Sequence, residues 1–136
     1  MKDKLRSYIR AGYPAIYVVS HEEPRVHAVF DELAKELSFT LHSWSVTSGL
    51  VTVSSHPQAA IPEREDPIAV LEAVLKLPEK SIVLLNDYHQ FLSEPNPLLT
   101  RKFKDVLATG KMTNRVLVIV GCRLRMPPEL EKSIVI

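Results

Sequence analysis

Three continuous apolar runs dominate the pattern of hydrophobic positions along the chain. They span Ala15–Val19, Ile82–Leu85 and Val116–Val120, and polar or turn-forming residues bound each of them. Runs of this length without alternating polar positions are typical of strands that are covered on both faces. Two further strands are predicted, one over Phe39–Val46 and a small one over Leu50–Val53.

Segments with helical spacing of apolar residues separate these runs. The first is predicted from Lys2 to Ala11. The next is expected to begin at a capping box, in which Ser20 and Glu23 would each satisfy a backbone N–H of the other. Its apolar face carries residues at three- and four-residue spacing, namely Val26, Val29, Phe30, Leu33 and Leu37.

Two later helices have a cap residue followed by proline at their start. Asp66 and Asn96 are the predicted caps. Pro78 and Gly110 are the predicted ends of these two helices. Strands that alternate with helices in this way indicate an α/β fold, namely a three-layer, mostly parallel five-stranded sheet with helices on both faces.

A last strand is predicted to begin at Ile134–Ile136. Because an apolar strand without a closing turn leaves backbone groups unpaired, we expect the chain to be a segment of a longer protein. Otherwise, another chain would have to complete that strand.

Composition narrows the class of protein. The chain has 136 residues, a size suited to one domain, and 46% of them are apolar. Its net charge is near +1 and it lacks a long basic run, which argues against nucleic-acid binding. Cys122 is the only cysteine, so no internal disulfide can form. The sequence has neither a signal peptide nor a membrane-spanning stretch, so a cytoplasmic location without a membrane partner is expected.

The junction after the first strand lies where many α/β proteins bind phosphate. The chain has no glycine between Tyr13 and Trp44, and Lys35 is the first lysine after the strand. Two carboxylates, Glu22 and Glu23, are expected in the first turn of the helix instead. The position therefore suits a nucleotide site, whereas the residue types do not.

Three segments together resemble the core of AAA-type, P-loop-related ATPases. Residues 15–37 stand in the place of a Walker A unit, Ile82–Asp87 in the place of a Walker B strand, and Val116–Leu130 in the place of the sensor strand and its exit. Tyr13–Glu23 and Pro127–Lys132 are similar, more narrowly, to the AAA-domain proteins encoded in algal chloroplast and cyanobacterial genomes. That resemblance implies a P-loop NTPase-like fold, in which a degenerate ATPase-like domain precedes an active one.

The departures from the ATPase pattern decide what the resemblance implies for activity. The G-x-x-x-x-G-K-[ST] loop, whose backbone N–H groups and lysine surround the phosphates, is absent. The metal-binding aspartate of a Walker B strand would align with Asn86, and Asp87 would take the place of the catalytic glutamate. No catalytic residue is assigned, and the domain is expected neither to hydrolyse ATP nor to bind it tightly.

Two groups of polar residues are the candidate anion- or metal-binding positions. Ser20, His21, Glu22 and Glu23 follow the first strand, and Asn86, Asp87 and His89 follow the Walker B-like strand. If the two strands are neighbours, these side chains converge at one edge of the sheet and could hold zinc, manganese or an anion. In the plainer interpretation, the glutamates complement the positive end of the helix and the histidines are solvated. The plainer one is favoured because no tight ligand spacing such as H-x-x-x-H occurs, so no metal ligand is assigned.

The leading hypothesis is therefore a non-catalytic AAA-like domain, covering residues 1–136 at the N-terminal part of a longer AAA-family protein. It would act in assembly or regulation by packing on an adjoining ATPase module or partner subunit, and its oligomeric state stays open. It would need no cofactor itself, while ATP and Mg²⁺ are implied for the parent protein. One alternative is an enzyme with an unorthodox nucleotide or anion site at Ser20–Pro24 and Asp87–His89. Another is a stand-alone protein-interaction module that uses Thr47–Glu65 as its recognition loop.

Overall fold

A five-stranded sheet organises the chain in the computed structural model, which describes residues 2–53 and 66–128, the side chains of 111–113 excepted. The strands are β1 (Ala15–Val19), β2 (Thr40–Ser45), β3 (Gly49–Thr52), β4 (Ser81–Asn86) and β5 (Arg115–Gly121). The helices are α1 (Lys2–Arg10), α2 (Glu23–Leu37), α3 (Pro67–Val74), α4 (His89–Leu92) and α5 (Pro97–Thr113). The α/β class predicted from the alternation of strands and helices is confirmed.

The sheet has the strand order β1-β5-β4-β2-β3. Its first four strands are parallel, and β3 pairs with β2 as an antiparallel hairpin. The prediction of a mostly parallel sheet is therefore confirmed, and the small strand predicted over Leu50–Val53 is present as β3. The last strand predicted at Ile134–Ile136 lies outside the described residues.

The condition for convergence of the two polar groups, that β1 and β4 are neighbours, is not met. β5 lies between them, so that Ile119 is paired with Tyr17 on one side and with Leu85 on the other. Two strand spacings of about 4.8 Å thus separate β1 from β4. The central place suits β5 because its residues Val116 to Gly121 are all buried, as a strand covered on both faces requires.

Two apolar layers cover the two faces of the sheet. Since successive side chains of a strand point to opposite faces, each strand contributes to both layers. Helices α1 and α2 cover one face, and the buried residues on that side include Ile9, Ile16, Phe30, Leu33, Leu84 and Val118. Helices α3, α4 and α5 cover the other face, where the buried residues include Tyr17, Leu71, Leu85, Tyr88, Phe103 and Ile119.

The start of α2 differs from its prediction. The helix begins at Glu23 with Glu22 as its cap residue, and the side chain of Glu22 makes no capping hydrogen bond. Ser20 does not cap the helix, because its Oγ accepts a hydrogen bond of 3.0 Å from the backbone N–H of Glu22 in the preceding turn. The predicted capping box of Ser20 and Glu23 is therefore wrong.

Both predicted cap-proline starts are confirmed, but α5 runs past its predicted end. Asp66 accepts a hydrogen bond from Ile68 N, and Asn96 accepts one from Leu99 N. Gly110 lies within α5 rather than closing it, because Asn114 takes the left-handed conformation that ends the helix. A Cβ atom on Gly110 would lie 2.7 Å from the carbonyl oxygen of Arg115, so this glycine permits the close approach of α5 and β5. Helix α3 ends at Val74, earlier than the predicted stop at Pro78.

Candidate functional site

The carboxyl ends of the parallel strands carry the polar residues that the sequence singled out. Backbone hydrogen bonds to β5 hold both the residues that follow β1 and the residues that follow β4. Ser20 N donates to Gly121 O over 2.9 Å, and Asp87 N donates to Val120 O over 2.8 Å. The residues after β1 and those after β4 are thus held at the same edge of the sheet, with β5 between them.

The side-chain amide of Asn86 is the most constrained polar group at this edge. It is 6% exposed, and its Nδ2 donates to Ser43 Oγ over 3.0 Å and to the carbonyl oxygen of Trp44 over 2.9 Å. Because a carbonyl can only accept, the contact with Trp44 fixes which end of the amide is nitrogen. Asn86 Oδ1 then faces His27 Nε2 at 2.6 Å, so the imidazole carries its proton on Nε2 and donates it.

The amide of Asn86 therefore connects three elements of the fold. Its partners come from α2 and β2, while Asn86 itself ends β4. Both amide N–H groups are used and the oxygen already accepts one hydrogen bond. A metal ion that approached this oxygen would have to compete with the donor on His27.

The sequence analysis does not include His27 among the candidate site residues. The helical repeat contains the signal that could have found it, because His27 lies three residues before Phe30 and seven before Ala34, which are both buried on the sheet side of α2. A polar residue in such a row faces the sheet and needs a hydrogen-bond partner there.

Few backbone donors remain at the start of α2 for an anion. The N–H groups of Ser20 and Glu22 are already hydrogen-bonded, and Arg25 N donates to Glu22 O over 3.1 Å. Pro24 has no N–H group. In this described stretch only the N–H groups of His21 and Glu23 are left, which is far fewer than a phosphate cradle provides.

The side chains around this helix start are exposed and partly paired with each other. Glu22 Oε2 lies 3.2 Å from an Arg25 guanidinium nitrogen. Glu23 Oε1 lies 4.0 Å from His27 Nε2. His21 is also exposed, so the plainer interpretation of this group as a solvated helix start agrees with the structure.

Asp87 shapes the turn after β4. Its φ is 57°, a left-handed conformation that aspartate tolerates better than most residues, and its carbonyl oxygen accepts a hydrogen bond of 3.2 Å from Gln90 N. The carboxylate is exposed at the surface. Asp87 thus lets the chain turn from β4 into α4.

His89 lies on the opposite side of the sheet from His27. It belongs to α4, is 5% exposed, and packs on Gly121 so closely that a Cβ atom there would lie 2.4 Å from His89 Nδ1. Its Nδ1 has no hydrogen-bond partner among residues 2–53 and 66–128, and its Nε2 lies 4.0 Å from the sulfur of the half-buried Cys122. The expectation of solvated histidines therefore holds for His21 and is wrong for His89.

The candidate residues consequently do not converge on one point. Asn86 faces α2, whereas His89 belongs to α4 and packs on Gly121 at the other face of the sheet. Within residues 2–53 and 66–128, no group of three or more His, Cys, Asp or Glu side chains is arranged to hold a metal ion. Among the same residues, no helix is long and apolar enough to cross a membrane.

These features define the class of the protein as an α/β domain with a mostly parallel sheet, whose carboxyl edge carries a hydrogen-bonded amide cluster instead of a glycine-rich loop. Comparison with known families makes the assignment particular. The chain belongs to the family of SpoVK-like AAA ATPase N-terminal domains, whose family model matches residues 1–136.

Relatives of the chain include uncharacterized AAA domain-containing proteins named ycf46. The protein of Trieres chinensis is 27% identical over 98% of this chain, and that of Guillardia theta is 30% identical over 94% of it. The protein of Pyropia yezoensis is 26% identical over 97% of the chain. The chain spans only about a quarter of the length of these relatives, 25–27% in each case. No solved structure gives a significant match.

Proposed function

We propose that this domain is a non-catalytic part of a longer AAA-family protein, where it packs against an adjoining ATPase module or a partner subunit and shapes its assembly or regulation. Membership of a family of AAA ATPase N-terminal domains supports the association with an AAA module. The observation that carries the non-catalytic role is the set of hydrogen bonds from Asn86 to His27, Ser43 and Trp44.

That observation bears directly on magnesium. P-loop ATPases hold Mg²⁺ with a Ser or Thr at the start of the helix and an acidic residue at the end of the Walker B strand. By resemblance, Asn86 stands at the second of these positions, and His27 contacts it from the helix that would supply the first. A neutral amide whose oxygen already accepts a hydrogen bond from His27 is a weaker magnesium ligand than a free carboxylate.

The start of α2 fits the triphosphate equally poorly. Besides the shortage of backbone donors, the carboxylates of Glu22 and Glu23 lie at the helix start. A like charge at about 4 Å costs roughly 1–4 kcal/mol, whereas the positive end of a helix offsets only about 0.3–1 kcal/mol. ATP and Mg²⁺ are accordingly proposed as cofactors of the parent's ATPase module and not of this domain.

No observation favours the two alternative functions over this one. An enzyme with an unorthodox site would need the Ser20–Pro24 and Asp87–His89 segments to act together, but β5 separates them. For a stand-alone module, most of the proposed recognition loop, residues 54–65, lies outside the described residues.

Calorimetric titration of this chain with ATP and Mg²⁺ tests the non-catalytic role. We expect no binding below the high-micromolar range. A dissociation constant of a few micromolar that is lost in Asp87→Ala and kept in Glu22→Ala would contradict the proposal and support the unorthodox nucleotide site.

Deletion of residues 1–136 from the parent protein tests the role in assembly or regulation. Sedimentation velocity and ATPase rate per subunit are compared with and without the domain. We expect a changed oligomer distribution or a changed rate, and the proposal fails if both measurements are the same for the two proteins.

A further inference from the structure

A surface groove lies at the amino-terminal end of α5. It has a volume of about 550 Å³, within the usual range of binding pockets. The turn from α4 into α5, the first turns of α5 and the chain that leaves β5 form its walls. None of the candidate residues discussed above lines it.

Six of the twelve described residues that line the groove are apolar, and most of these six are conformationally restricted. Four of its residues are prolines, Pro95, Pro97, Pro127 and Pro128, whose fixed φ angles limit the movement of both walls. Met126, one of the lining residues, packs against the buried core. A surface ordered before binding loses little conformational entropy when a partner docks on it.

Hydrogen bonds to the buried side chain of Tyr17 hold the wall formed by the chain leaving β5. The phenol donates a hydrogen bond of 2.6 Å to the carbonyl oxygen of Arg123 and accepts one of 3.1 Å from the backbone N–H of Arg125. Burial raises the pKa of this phenol, so it stays protonated and keeps its donor at neutral pH. The residues that enter the wall at Met126 are therefore held in place by the core strand β1.

Exposed apolar side chains adjoin the groove in sequence. Leu98, next to the lining residue Pro97, is 67% exposed, and Leu124, two residues before Met126, is 50% exposed. They are the two most exposed large apolar residues in the part of the chain that the structure describes. Exposed apolar side chains beside a groove are typical of a surface that another protein covers.

Two basic side chains lie along the α5 side of this surface. Arg101 and Lys104 line the groove on the α5 side, against one carboxylate, that of Glu94. Arg101 pairs with Asp105 on its own helix at 3.3 Å, while Lys104 makes no ion pair with any described residue. Among the described residues, Lys104 is thus the basic group of the groove that can pair with a carboxylate of a partner.

The wall formed by the chain leaving β5 also contains the last residues that the structure describes. Met126 to Pro128 are the last described residues, and in a protein with this domain at its N-terminal part the ATPase module follows them. A module connected to this wall has a high effective concentration at the groove.

We propose that this groove, with Leu98 and Leu124 beside it, is the docking surface for an acidic, apolar segment of the adjoining AAA module. The inference rests on the proposed function, since it assigns a surface to the association proposed above. Leu98 is buried in that contact, and Lys104 pairs with a carboxylate of the module.

Site-specific photo-crosslinking in the full-length parent protein tests the assignment. A benzoylphenylalanine is placed at position 98 in one protein and at position 35 in a matched control, because the side chain of Lys35 is 76% exposed on α2, on the opposite face of the sheet. We expect crosslinks from position 98 to peptides of the AAA module, mapped by mass spectrometry, and none from position 35.

A charge reversal tests the chemistry of the partner. Lys104→Glu in the protein with the crosslinker at position 98 is expected to lower the crosslink yield at least about threefold, as the loss of a rim ion pair predicts. Lys76→Glu, which changes an exposed lysine after α3, is expected to leave the yield unchanged.

The outcomes separate this inference from the function on which it rests. Crosslinks to the module from position 35 and not from 98 would overturn the assignment of the groove and leave the association standing. Crosslinks from 98 to a second copy of this domain, or a yield insensitive to Lys104→Glu, would also overturn it. The absence of crosslinks to the module from both positions would overturn the assignment and count against the association.

Discussion

Removal of the Asn86 amide is expected to destabilise the fold substantially. Asn86→Ala deletes three hydrogen bonds at a site that is 6% exposed. Each such bond contributes about 0.5–1.5 kcal/mol, and the partners left behind are at least partly buried. We therefore expect a loss of about 2–4 kcal/mol in the free energy of unfolding, a large fraction of the stability of a typical domain.

A double-mutant cycle isolates the contact between α2 and β4. His27→Ala alone should cost about 1–2 kcal/mol, because it removes one hydrogen bond and part of a half-buried ring. In the double variant the two losses should fall short of additivity by about 1 kcal/mol, since both single changes remove the same hydrogen bond.

Urea unfolding followed by tryptophan fluorescence and far-UV circular dichroism provides the measurement. Trp44 is the only tryptophan and is fully buried, so its emission reports on the core beside the amide cluster. Gln90→Ala, which removes an exposed amide from α4, is the matched control and should change stability by less than about 0.5 kcal/mol. A loss below about 1 kcal/mol for Asn86→Ala, or full additivity with His27→Ala, would refute the hydrogen-bond geometry described here.

Three further predictions concern a buried base and two close-packed glycines. Burial lowers the pKa of His42, so the unfolded chain binds a proton at this residue before the folded chain does. The free energy of unfolding should therefore fall as the pH drops below about 6.5. In urea titrations, the difference in stability between pH 7 and pH 5 should be smaller for His42→Gln than for the unchanged protein. Alanine favours helices, but Gly110→Ala should lower the melting temperature because its Cβ would lie 2.7 Å from the Arg115 carbonyl oxygen. A higher melting temperature would contradict the close approach of α5 and β5. Gly121→Ala should lower the free energy of unfolding, measured in urea, by about 1–3 kcal/mol, because its Cβ would meet the His89 ring. Adding His89→Ala to this variant should relieve part of that loss. Purely additive losses would show that the His89 ring does not hinder a Cβ at position 121.

The strands and most helix starts could be predicted because local chemistry determines them. A run such as Ile82–Leu85 has to be covered on both faces, and caps such as Asp66 and Asn96 satisfy backbone donors within their own helix. The order of strands depends on contacts between distant segments, so the central place of β5 was not visible in the sequence. The prediction of a helix end at Gly110 is wrong for the same reason, since the carbonyl that requires glycine there is contributed by the neighbouring strand.

The sequence predicted where the candidate site lies better than it predicted which side chains contact each other there. The sequence located Asn86, Asp87 and Ser20 at the carboxyl edge of the sheet, and the structure has them there. It gave no account of what Asn86 contacts, because His27 and Ser43 lie 59 and 43 residues away along the chain. The solvated interpretation failed for His89 because its burial depends on Gly121, a residue without a side chain that allows the ring to lie against β5.

The amide cluster also has a consequence for substitutions at position 86. An aspartate at position 86 would bring a carboxylate oxygen to the place of Nδ2, 2.9 Å from the carbonyl oxygen of Trp44, so two acceptors would face each other in a buried site. Such a change alone would destabilise the domain. Asparagine at this position is therefore favoured by its neighbours, and a carboxylate there would require concerted changes at positions 27, 43 and 86.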